Sequence, residues 1–176
     1  RKTIRKPLGL QWLREYQLEN AEKYNIIMME ELEADDVMGM FGTSGDESIS
    51  IHSEDKDLRT IPVRQWDFKK SKFWTPTYEQ AMKWLYTQVL TGDVVDGYKG
   101  CPRIGKIKAE RALADCQNDR ELLEQVFVRY YVAYKKDLDV AKTKLVEQMG
   151  QARILHMVDY VALKQFNKTF DPFDIL

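Results

Sequence analysis

Seven carboxylates stand in three tight clusters along this chain, and they limit its fold more than any other feature. They are Glu33, Asp35 and Asp36 in Glu-Leu-Glu-Ala-Asp-Asp, Asp55 and Asp57 in Ser-Glu-Asp-Lys-Asp-Leu, and Asp93 and Asp96 in Gly-Asp-Val-Val-Asp-Gly. Acids held close together repel, so a fold that gathers them must supply positive charge. Oxygen donors favour hard divalent ions, Mg²⁺ or Mn²⁺. The third cluster opens a basic, glycine-marked hairpin, Gly97-Tyr-Lys-Gly-Cys-Pro-Arg-Ile-Gly105-Lys-Ile-Lys. A metal-binding acid cluster beside a phosphate-binding hairpin is an arrangement suited to phosphodiester cleavage.

The charge pattern fits that division of labour. Over 176 residues the net charge is -1, so no global basic field marks the chain. The bases are local: four in Arg1 to Lys6 without an acid, and five from Lys99 to Arg111 against Glu110. The two cysteines, Cys101 and Cys116, lack the spacing of a zinc site and suit a reduced, cytoplasmic compartment. No apolar run reaches the length of a membrane span. Arg1 opens the chain without an initiator Met or an apolar signal core, which reads as a cut end.

Periodicity gives the elements. Leu10, Leu13, Tyr16, Leu18 and Ala21 predict a helix over residues 8–24. Asn25 to Met29 and Ile49 to His52 read as short buried strands, and Glu30 to Met40 as a helix carrying the first acids. On that helix Glu33 and Asp36 would share a face, with Asp35 turned away by about 100°. Strands followed by acids at their carboxyl ends suggest an open α/β sheet. Arg64 to Phe68 and Lys72 to Trp74 suit a hairpin. Thr77 with Gln80 makes a capping box for a helix to about Leu90. Beyond Thr91 the pattern is helical, over residues 106–114, 119–135 and 138 to about 156. A boundary near Thr75–Thr77 divides the chain into 1–76 and 77–176. Trp12, Trp66, Trp74 and Trp84 are expected in the core. His52 and His156 stand alone, with no nucleophilic triad.

In the hairpin, Gly100 and Gly105 let backbone amides approach a phosphate, and the following helix adds its positive end. Lys106 and Lys108 add mobile charge. The Gly100, Gly105, Lys106 spacing matches a P-loop, but Ile107 stands where Ser or Thr would hold Mg²⁺, which excludes one.

The order Glu33-Ala-Asp35-Asp36, Ser53-Glu-Asp55-Lys-Asp57-Leu, Gly92-Asp93-x-x-Asp96, Gly100-x-x-x-x-Gly105 resembles the flap endonuclease and 5′→3′ exonuclease family, in particular the exonucleases of short-tailed bacteriophages. The resemblance implies a PIN-like α/β nuclease core, here lacking its N-terminal strand, followed by an all-helical helix-3-turn-helix region. It implies two divalent ions held by Glu33, Asp35, Asp36, Asp55, Asp57, Asp93 and Asp96, with a K⁺ ion in some relatives at the hairpin. Lys99, Gly100, Arg103, Gly105, Lys106 and Lys108 would grip duplex DNA. Arg1, Lys2, Arg5 and Lys6 would close a basic arch over the 5′ strand, with Lys2 and Lys6 as candidates to neutralise the scissile phosphate. The expected substrate is DNA with a 5′ end or flap, and the expected setting a host cytoplasm. Because the family's early Asp strand is missing, the chain reads as a C-terminal fragment, expected to be a poor nuclease alone. Two rivals remain at this stage: a non-catalytic duplex-binding module, and a PIN-type ribonuclease, against which the hairpin argues.

Overall fold

The computed structural model describes residues 9–166 and 168–175, and groups the chain into two units, Arg1–Ala34 and Asp35–Leu176. In the first, α1 (Gly9–Glu19) and α2 (Ala21–Tyr24) follow the predicted period but bury no residue. Asn25 ends α2 in the left-handed region, with its N–H returned to Ala21 and Glu22. The expected strand at residues 25–29 does not form, and Ile27 and Met28 are exposed. A strand is stable only against a partner, and the sheet found among the described residues lies elsewhere.

The second unit begins with α3 (Ala34–Gly42), four residues later than the predicted helix, so Glu33 stands ahead of it and not on its face. The segment expected as a second strand makes a single parallel bridge, Ile51 to Gln65. The hairpin does form: β1 (Gln65–Asp67) pairs antiparallel with β2 (Lys72–Trp74). Asp67 organises its turn by accepting from the N–H groups of Lys69 and Lys70. Among the described residues the structure is mostly helical, with one small two-stranded sheet and not a wide open one.

Five helices complete it: α4 (Tyr78–Thr91), α5 (Lys106–Leu113), α6 (Asp119–Ala133), α7 (Leu138–Ala152) and α8 (Met157–Phe166). The predicted capping box is present, with Thr77 accepting from Gln80 N–H and Gln80 from Thr77 N–H. Asn118 and Asp137 cap α6 and α7 by accepting from the N–H groups of Glu121 and Val140, without a reciprocal bond. Sequence periodicity ran α7 on to His156; the chain instead breaks at Arg153 and restarts as α8, because Asp36 of α3 and Thr43 just beyond it accept from the N–H groups of Leu155 and Met157.

Apolar residues separate into two clusters. The larger includes Leu85, Tyr86, Val89, Leu122, Val126, Tyr130, Leu145 and Met149 from α4, α6 and α7. The smaller joins Ile51, Leu58, Ile61 and Val63 to Ile154. None of the four tryptophans is among the buried residues, against expectation; Trp12 is 72% exposed, and Trp66 stacks in a surface group with His52 and Phe73. Both cysteines are buried and unpaired.

Candidate metal centre

The end of α4 determines where two of the acids lie. A helix leaves its last carbonyls without partners inside the helix. Here Gln88 carbonyl accepts from Gly92 N–H, Val89 carbonyl from the Tyr130 hydroxyl, and Leu90 carbonyl from Cys101 N–H. The chain between them folds back on itself, with Asp93 and Tyr98 exchanging backbone hydrogen bonds. Gly92 and Gly100 are in contact: both have positive φ, and a Cβ added to Gly100 would lie 2.3 Å from Gly92 N. Only glycine fits that crossing. The amide of Gly100 is committed to Gln148 Oε1 at 2.6 Å, so its glycine requirement comes from backbone packing.

That turn brings Asp93 and Asp96 to Asp57, which opens a 3-10 turn over Asp57–Thr60. One carboxylate oxygen from each of the three lies within 4.8 Å of the others. Two further groups hold the cluster. Lys56 Nζ stands 3.0 Å from Asp57 Oδ1 and 2.5 Å from Asp93 Oδ2. Gln88, buried in α4, donates through Nε2 to Asp57 Oδ1, while its own Oε1 is buried without a partner.

The electrostatics show crowded charge. Burial acts to lower the Lys56 pKa, but hydrogen bonds to Asp93 and Asp57 outweigh it and raise the group above its ordinary value. Lys56 and the Val95 N–H hold Asp93 below the usual carboxylate range. Asp96 is pushed up by desolvation and by the charges of Asp93 and Asp57, which outweigh that of Lys56. Asp35 is also raised, first by burial and then by the charges of Asp36 and Asp55. Asp55 in turn adds to the rise at Asp96.

The predicted residues therefore fall into distinct places. Asp57, Asp93 and Asp96 converge. Asp35 and Asp55 sense one another's charge, and Asp55 acts on Asp96, but neither joins the three-oxygen group. Asp36 has a structural partner in Leu155 N–H, and Glu33 lies in the first unit. Lys99, Arg103, Gly105, Lys106 and Lys108 are exposed along the hairpin. Gly105 starts α5 without a side-chain cap, unlike α4, α6 and α7. Arg1, Lys2, Arg5 and Lys6 lie outside the described residues. Sequence reasoning missed two groups. Lys56 was signalled by its place between two acids in Asp-Lys-Asp. Gln88 was signalled by its register: with Ala81 and Leu85 it lies on the buried stripe of α4, where a polar side chain needs a reason.

Three hard oxygen donors, a buried amide fixing one of them and an orphan carbonyl oxygen nearby fit a divalent cation better than any softer ligand. The motif order of the sequence resembles that of phage exonucleases. Comparison bears this out. The chain is 38% identical over 112 residues to the exodeoxyribonuclease of Enterobacteria phage T3, a match covering 60% of this chain and 36% of that protein. It is 36% identical over 107 residues to the exonuclease of Escherichia phage T7, covering 57% and 35% respectively. The chain thus spans about a third of the length of the curated relatives it matches. No family model matches it. Among the described residues no helix is long and apolar enough to cross a membrane.

Proposed function

We infer that this chain carries the metal-binding acids and the duplex grip of a DNA 5′→3′ exonuclease able also to cut 5′ flaps. The observation that supports it most is the convergence of Asp57 with Asp93 and Asp96, from separate elements, within 4.8 Å. In this reading those three hold one divalent ion. Asp35 and Asp55 serve a second, and Asp36 keeps α3 joined to the start of α8. Bound Mg²⁺ or Mn²⁺ would lower the pKa of a water and stabilise charge on the phosphate. Gln88 keeps Asp57 oriented toward the ion. The uncapped start of α5, with Lys106 and Lys108, receives backbone phosphates of the duplex, with a K⁺ ion at the same hairpin as in some relatives. Lys2 and Lys6 remain candidates for charge neutralisation at the scissile phosphate, and Arg1 and Arg5 for the 5′ strand.

The test uses the intact protein. Asp57→Asn and Asp93→Asn should each lower Mg²⁺-dependent nucleotide release about 10²-fold or more, because each removes a ligand to the ion that stabilises the transition state. Duplex binding measured in chelator should stay near wild type. Near-wild-type cleavage by both variants would overturn the nuclease reading. Duplex binding with no metal-dependent product from the wild type would favour a non-catalytic module.

A further inference from the structure

Lys56 is the one cation that enters the acid cluster among the described residues, and its environment is unlike that of a structural ion pair. Its two partners are largely sheltered, with side-chain exposures of 20% for Asp57 and 13% for Asp93, whereas Lys56 itself is 53% exposed. The Lys56 side chain is therefore half open to solvent and can leave without opening the core. It also lines a groove of about 460 Å³ beside α4 and α5, together with Lys83, Lys106, Trp84, Thr87 and Asp93. Asp93 belongs to both the cluster and the groove. Lys83 is held there by donating to the Ala114 carbonyl, and Lys106 stands 3.8 Å from Glu110 in an exposed pair.

We propose that Lys56 is a two-position lysine, neutralising Asp57 and Asp93 in the metal-free protein and contacting a substrate phosphate from the groove once a divalent ion has displaced it. This rests on the metal reading above. A cation between Asp57 and Asp93 and the Lys56 ammonium compete for the same oxygens, so one must yield. A lysine is suited to yield: a point charge on a flexible stem, with no fixed fork to lose. Once released it retains its charge beside a second and a third lysine, in a groove open to a polyanionic strand. The displaced ammonium then neutralises charge on a substrate phosphate, in addition to any contribution of Lys2 and Lys6.

Two measurements on the intact protein separate the possibilities. Free-Mn²⁺ titration by electron paramagnetic resonance, without DNA, reads the first position. Lys56→Met and Lys56→Gln should bind Mn²⁺ about tenfold more tightly than wild type, since the ion no longer displaces a tethered competitor. Binding of a 5′-overhang duplex in Ca²⁺ across a salt series reads the second. Both variants should bind more weakly, with a log–log salt slope smaller by about one phosphate contact. Mn²⁺ affinity equal to or below wild type would show that Lys56 does not compete, and an unchanged salt slope would show that it meets no phosphate; either result overturns the proposal. Wild-type protein that binds no Mn²⁺ would instead bring down the metal reading itself, and this inference with it.

Discussion

The region between α3 and β2 and the region from α4 to α7 handle the same problem with unequal means. The latter packs long helices around one cluster in which Val89, Leu123, Val126, Tyr130, Leu145 and Met149 are fully enclosed. The former has a short helix, a 3-10 turn and two three-residue strands around five buried residues, one of them Ile154 borrowed from beyond α7. The candidate centre draws on both: Asp57 comes from the thin region, Asp93 and Asp96 from the end of a helix in the thick one. A thin core leaves Asp57 dependent on polar clamps, its neighbour Lys56 and Gln88 from α4. Acids on the thick side are held by backbone closure.

The largest expected effect comes from breaking that closure. Gly100→Ala puts a methyl group on the backbone of Gly92 at a positive φ, and should cost about 4–5 kcal/mol in chemical denaturation. A loss under about 1 kcal/mol would mean the turn can open without cost and does not fix Asp93. Next is the direct contrast between cores. Leu145→Ala, in the enclosed cluster, should cost about 3–4 kcal/mol, and Ile51→Ala, in the smaller one, about 2 kcal/mol, because a thin core collapses more readily around a deletion. Equal losses would erase the distinction.

A last effect is spread over pH and sits at the joint between the regions. Burial, followed by the Arg153 charge, lowers the His156 pKa from 6.5 to about 4. The folded state therefore favours neutral His156, and the unfolded chain binds more protons between those values. The contribution is fully present above pH 6.5 and is lost as pH falls toward about 4, up to roughly 3 kcal/mol. His156→Gln should flatten the stability profile in that window; a profile as steep as the wild type's would place the dependence on the carboxylates.

Local signals in the sequence translated well. The Thr77–Gln80 box, the hairpin and the starts of α5, α6 and α7 all depend on neighbours within a few residues. The two short apolar runs did not become strands, since pairing depends on what lies far along the chain. The break before α8 was invisible for the same reason: Asp36 and Leu155 are 119 residues apart. At the site, the third acid cluster was legible because glycines flank it. Gly100 has a reason that the sequence did not display: its close partner is the backbone of Gly92. Glu33 was assigned to a helix that begins after it.

The bond between Gly100 and Gln148 also sets an order in time. On a ribosome the acids at 57, 93 and 96 are made first, but the residue that secures their turn follows Gly100 by 48 positions. At about 5–20 residues per second, a nascent chain spends several seconds with its carboxylates exposed and the turn unlocked. The turn that carries Asp93 and Asp96 is thus locked only after α7 has been synthesised and packed, which ties the birth of the candidate centre to the completion of the helical region.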